Sequence, residues 1–177
     1  ISGCACAHKL AKAGHEVLII EKGRGVGGRM ATRRMEGARI DHGAQFYTAR
    51  DPRLQEMNAA WIKEKKVTGW YERVPGRPEI PSDMRYRGMT GMTGPAKSLS
   101  QSCTLALNFF AEKIEKTAQW KVFERGGEGR VLQADHLLIT IPSVQMLDLF
   151  NRSGIDLGSE TMNRLCTIRH TRCLAIL

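Results

Sequence analysis

The chain has 177 residues, 42% hydrophobic, 25% charged and 6% aromatic, which is enough apolar material for a core and excludes wholesale disorder. No apolar run reaches the ~18 residues needed to cross a bilayer, and five cysteines, an odd number, argue against a secreted disulfide scaffold and for a reducing cytoplasm. Lysine and arginine number 27 against 18 acidic residues, a net charge of +9 that suits a binder of nucleic acid, of an anionic membrane or of a phosphate-bearing cofactor.

In chain order, Cys4 to Ala13 is small and helix-compatible, and Gly14-His15 stops it. Glu16 to Glu21 is a short apolar run of the kind buried in parallel sheets. Helix then buried strand is the second half of a βαβ unit, whose first strand would precede Ile1. Asp51-Pro52 is an N-cap followed by proline at N1, and Leu54, Met57, Trp61 and Ile62 recur at helical spacing, so a helix runs to about Lys65. Thr68 to Val74 reads as a strand, Val74 to Asp83 as a proline-punctuated loop, and Met84 to Arg87 as extended. A glycine-rich turn, Gly88 to Gly94, leads into a short helix from Pro95. Leu105 to Lys116 and Gln119 to Arg125 read as strands, with Gly126 to Gly129 a hairpin turn and Val131 to Ala134 its return. Leu137 to Pro142 reads as a second buried strand, followed by a helix from Ser143 to Phe150. Arg172 to Leu177 reads as the start of another strand, so the expectation is a piece of a longer protein, cut at both ends, that alone binds a cofactor poorly and is marginally stable.

The charge is concentrated. Between Lys22 and Arg53 eight basic residues face three acidic ones, net +5, in a window rich in glycine rather than in the aromatics that would stack bases. A phosphate site is the better reading of that window. Gly3 lies at the mouth of the first helix, where the last glycine of a dinucleotide fingerprint lets the helix pack close and face a pyrophosphate. Glu21 follows 18 positions later, where an acidic residue accepts ribose hydroxyls; taken alone, the pair also suits a surface glutamate after a strand. Then comes Lys22-Gly23-Arg24-Gly25-Val26-Gly27-Gly28-Arg29, whose paired glycines let backbone N–H groups approach phosphate oxygens while Arg29 adds charge-assisted bonds.

Ile1-Ser2-Gly3, Glu21 and Gly27-Gly28-Arg29 resemble the FAD-binding start of the flavin-containing amine oxidase superfamily. Asp41-His42-Gly43-Ala44-Gln45-Phe46-Tyr47-Thr48 is similar to a segment of its renalase-like members. The Gly-Met-Thr-Gly-Met-Thr stretch around Gly91, Trp120, and Leu138 to Pro142 fall where that family has similar residues. The resemblance implies a Rossmann-like FAD-binding domain, a parallel sheet with helices, interrupted by antiparallel β-rich substrate-domain segments. Residues 1–50 and 101–150 would form the FAD-binding part, 51–100 the first inserted segment and 151–177 the start of a second. It places Ser2 and Gly3 against the FAD pyrophosphate, Glu21 and Lys22 at the adenosine ribose, and Gly27, Gly28 and Arg29 on the phosphates. Gly43, Ala44, Gln45 and Phe46 would line the flavin or its ribityl chain, and Ile114 would meet the adenine through its backbone. The implied activity is oxidation of a small reduced donor, an isomer of NAD(P)H, by hydride transfer to flavin N5, with dioxygen as acceptor giving hydrogen peroxide. A small amine is the alternative donor, and no catalytic residue is named.

Other features have plainer readings. Cys4 and Cys6 form C-x-C without a second pair, so no metal is expected. The five histidines show no ligand spacing and are expected in surface or satisfied hydrogen-bonding roles; His42, beside the Gly-Ala-Gln segment, is the one to watch for a flavin contact. Ser98, Ser100 and Ser102 lack a nucleophile-elbow context. Neither a nucleic-acid nor a membrane partner is expected. A nucleic-acid module would explain +9 but brings no matching motif, and a desaturase or porphyrinogen oxidase would share only the first 30 residues.

Overall fold

The computed structural model describes residues 1–126 and 129–171. Helix α1 spans Ser2–Lys12, with Cys4 and Ala7 one turn apart on its buried face. It closes at Gly14, whose φ of 87° only glycine adopts freely; the Gly14 N–H reaches Ala11 O and the His15 N–H reaches Leu10 O, a Schellman pair. Strand β1 (Leu18–Ile20) runs parallel to β7 (Thr104–Ala106), with Leu18 opposite Thr104 and Ile20 opposite Ala106. The run expected to be a buried strand from Glu16 is therefore three residues long, and Leu18 is 41% exposed. Burial of such a run needs a strand on each side, and β7 is its only partner among the described residues.

A hairpin absent from the sequence reading follows. Strands β2 (Thr32–Met35) and β3 (Ala38–Asp41) pair antiparallel through Glu36 and Gly37, both left-handed at φ 48° and 82°. Tyr47–Thr48 (β4), Val67–Tyr71 (β5) and Arg85–Gly88 (β6) form an antiparallel sheet in the order β4-β6-β5. Between them α2 (Pro52–Lys63) starts as expected: Asp51 accepts from the Arg53 N–H at 2.9 Å and proline fills the first turn. Its inner face carries Asn58 and Trp61, while Ile62 is 44% exposed, contrary to the spacing argument. Asn58 is held inside by the Tyr47 hydroxyl, which donates to its Oδ1 at 2.5 Å. Burial pushes the Tyr47 pKa above the ordinary tyrosine range, with Tyr86 adding to it, so that proton stays in place.

Helix α3 (Thr93–Leu99) packs on α1, and Cys4, Val26, Trp61, Val67, Ala96 and Leu99 form one core. Burial raises the Cys4 thiol pKa, so at neutral pH it packs as a small apolar group. The stretch expected as one strand from Leu105 is two, β7 and β8 (Ala111–Lys116), because Asn108 turns left-handed at φ 54°. Strands β8, β9 (Trp120–Glu124) and β10 (Val131–Ala134) form an antiparallel sheet, and α4 (Ser143–Ser153) covers β8 to give the second core around Phe109, Ile114, Val122 and Phe150.

Residues 137–142 are not a strand: Leu138 is 60% and Ile141 42% exposed, since no described strand pairs with them. Helix α4 runs a turn further than expected to the left-handed Gly154, and α5 (Ser159–Thr167) is additional. Positions 127–128 of the expected hairpin turn, and the expected strand at 172–177, lie outside the described residues. Among the described residues no helix is long and apolar enough to cross a membrane, and no cluster of three or more His, Cys, Asp or Glu gathers as metal ligands.

Candidate functional site

The first residues of α1 carry N–H groups that precede the first helical bond, Ala5 N–H to Ile1 O, and no side chain caps them. Such a terminus attracts anionic oxygen. Gly3 lets the helix approach the 137–140 segment: a Cβ there would lie 2.7 Å from Thr140 Oγ1. Glu21 follows β1 directly. Its backbone is clasped on both sides, N–H to Ala106 O and carbonyl from the Phe109 N–H, which fixes where the carboxylate starts. Glu21 Oε1 then accepts the Gly23 N–H at 2.8 Å. Lys22 is exposed beside it.

The glycine loop turns back under α3. Gly27, at φ 131°, is buried with a virtual Cβ 3.1 Å from the Thr93 methyl, and Gly28, at φ 53°, opens a single 3-10 turn, Gly28–Met30. Both backbones favour glycine, and Gly28 is exposed with nothing within 4 Å of where a Cβ would stand. Arg29 is exposed at the head of that turn. Its carbonyl accepts the Ala44 N–H at 2.9 Å, which joins the glycine loop to the 43–46 segment. Gly43 makes that approach possible, since a Cβ there would lie 2.9 Å from the Arg29 carbonyl carbon and closer still to its oxygen.

Gln45 and Phe46 are exposed beyond this junction, with Phe46 edge-on to Trp70 and Tyr71 at 6.4 and 5.8 Å. The structure thus brings Arg29 together with Gly43 and Ala44. Ile114 stands apart: it is buried in the second core, and its N–H donates to Ser153 Oγ at 2.9 Å. His42 is exposed beside Gly43.

Sequence reasoning missed the lock behind the site. Thr32 Oγ1 donates to Asp41 Oδ1 at 2.5 Å, the same oxygen accepts the Met92 N–H at 2.9 Å, and the Thr93 N–H reaches Thr32 Oγ1 at 3.3 Å. Gly91, at φ 102°, fits against Thr32, whose Cβ would be 2.9 Å from an added methyl. The glycines at 88 and 91 were the visible signal. Asp41→Ala strands the buried Met92 N–H and the half-buried Thr32 hydroxyl and is expected to cost about 1–3 kcal/mol, read as a lower urea midpoint at unchanged m-value.

A family model described as an NAD(P)-binding Rossmann-like domain matches residues 1–61. In three dimensions the chain is similar to the crystal structure of a candidate protoporphyrinogen oxidase from Exiguobacterium sp. 255-15, with TM-score 0.59 and 14% identity. That alignment covers 84% of this chain, and the chain spans 58% of that protein. The likeness is one of fold.

Proposed function

We propose, from a mixed α/β fold whose residues 1–61 match an NAD(P)-binding Rossmann-like domain, with a parallel strand pair and additional antiparallel sheets, that the protein is an FAD-dependent oxidoreductase. It oxidises a small dihydronicotinamide, an NAD(P)H isomer, with dioxygen as final acceptor. Residues 1–50 and 101–150 serve the cofactor, and 51–100 and 151–177 the donor side. The observation that carries this reading is the Ala44 N–H to Arg29 carbonyl bond, which puts the glycine loop and the 43–46 segment on one surface.

The residues fit such a dinucleotide. The uncapped N–H groups at Ser2 and Gly3 would hold a pyrophosphate, Glu21 Oε2 would accept from ribose hydroxyls, and Gly27, Gly28 and Arg29 would hold phosphate oxygens. Gln45 and Phe46 stand at the exposed end, where a ring and its donor would stack. FAD, when bound, would supply the two-electron chemistry that links a hydride donor to dioxygen, which with two protons becomes hydrogen peroxide. The protein contributes orientation, and needs no strong base for a hydride donor.

The test is a visible spectrum of the purified full-length protein. Two flavin bands, FAD rather than FMN on denaturation, and anaerobic bleaching by a dihydronicotinamide isomer are expected. A colourless protein that refuses added FAD overturns the reading and turns attention to nucleic-acid binding, recognisable by its steep salt dependence. Glu21→Gln keeps the Gly23 bond and weakens the ribose acceptor, so FAD affinity is expected to fall about 10-fold at near-unchanged stability. The neighbour described as a protoporphyrinogen oxidase favours a second reading, a porphyrinogen donor, tested by turnover of that substrate. A small amine is the remaining donor class, tested the same way.

A further inference from the structure

The β2–β3 hairpin carries a charge arrangement that cofactor binding leaves unused. Arg34 and Arg39 stand directly opposite in its register, where cross-strand Cβ atoms lie about 4.5–5.5 Å apart and like charges destabilise the pair. Both are exposed, and neither is in an ion pair among the described residues. Two acids are near: Glu36 sits in the turn, and Asp41 is committed to Thr32 and the Met92 N–H. Alternation along the strands puts Arg34 and Arg39 on the same face as Thr32 and Asp41, one step of about 7 Å further along the ribbon. That inner pair is the part locked to Met92 and Thr93, and Thr93 in turn abuts Gly27 of the glycine loop. Past Asp41, β3 runs through His42 straight into the 43–46 segment. Two adjacent guanidiniums on an anchored ribbon, neither in an ion pair among the described residues, are suited to two adjacent phosphoryl groups.

We propose that Arg34 and Arg39 clamp the pyrophosphate of a dinucleotide electron donor. The proposal rests on the flavin reading above and assigns the residues that hold its donor's pyrophosphate. In such a donor a ribose separates the reacting ring from the pyrophosphate. A clamp therefore has to stand off from Gln45 and Phe46, and β3 carries Arg39 two residues before Asp41, on the chain that leads into that segment. A neutral or cationic amine offers it nothing to hold.

Inorganic pyrophosphate titrated calorimetrically into the FAD-loaded full-length protein is the direct probe. Arg34→Gln/Arg39→Gln is expected to weaken its binding at least ~10-fold while FAD content is retained. The preference for a dihydronicotinamide dinucleotide over its phosphate-free riboside falls by the same factor, through KM. Arg39→Glu abolishes pyrophosphate binding without lowering the thermal midpoint, since it replaces a repulsive cross-strand pair with an attractive one; a purely structural pair would not behave so. Wild-type protein that holds FAD but ignores pyrophosphate, or a double variant that binds it equally, overturns the clamp alone. A double variant impaired instead toward a porphyrinogen overturns the dinucleotide assignment, and a protein that holds no flavin overturns both.

Discussion

Gly43→Ala is expected to destabilise the protein by about 2–4 kcal/mol and to release the cofactor, although the substitution adds one methyl to an exposed loop residue. The cause is backbone against backbone. The added Cβ meets the Arg29 carbonyl group, its carbon at 2.9 Å, and neither partner is a side chain that could swing away. Relief requires separating the 43–46 segment from the glycine loop, which breaks the Ala44 N–H to Arg29 O bond. Gly43 is not among the positive-φ residues, so the penalty is one of space. Gly28→Ala is the contrasting case: φ is 53°, yet nothing lies within 4 Å of the new methyl. Its cost is conformational alone, about 1 kcal/mol. Chemical denaturation and flavin content of the two variants decide the matter. If Gly43→Ala costs no more than Gly28→Ala, the close approach is not what holds the two segments together.

What the sequence disclosed and what it hid divide along locality. The start of α2 was legible because Asp51 and Pro52 act on the backbone within a turn of themselves. The end of α1 was legible for the same reason at Gly14. Residues 137–142 misled because an apolar run states a preference for burial, while a strand exists only when another supplies its ladder. The β2–β3 hairpin was invisible for the opposite reason: its strands are mostly arginine and small residues, with no apolar alternation, and its turn is Glu-Gly. Ile62, expected on the inner face, is exposed, while Asn58 is buried there because Tyr47, 11 residues before it, offers the amide a partner. At the candidate site the glycines and acids stood out as motifs. The bonds that assemble them did not, since Met92 N–H reaches Asp41 across 51 residues.

Arg85→Met is expected to cost about 2–4 kcal/mol and to open the 72–83 loop to proteolysis. Arg85 lies on β6 and is only 5% exposed. Its Nη1 donates to the carbonyls of Glu72 and, at 2.9 Å, Asp83, and its Nη2 reaches Pro81 O at 3.4 Å. One guanidinium therefore gathers both ends of a proline-punctuated loop whose own hydrogen bonds are few. Its charge faces the Phe46 and Tyr71 rings at 5.7 and 5.1 Å, and no described carboxylate pairs with it; Asp83 is engaged by Arg50. Methionine fills the stem's volume but supplies no donor, so three carbonyls lose their partner. Lysine keeps the charge yet cannot serve three acceptors from one ammonium in a fixed plane, so Arg85→Lys is expected to recover less than half of the loss. The link to the site is Phe46. A double-mutant cycle of Phe46→Leu with Arg85→Met should return a coupling of about 0.5–2 kcal/mol, the range of a desolvated cation over an aromatic face. Additive losses would mean that Arg85 only staples the loop. Coupled losses would mean that the loop and the exposed end of the candidate site are set by the same side chain, so that loosening 72–83 also misplaces Phe46.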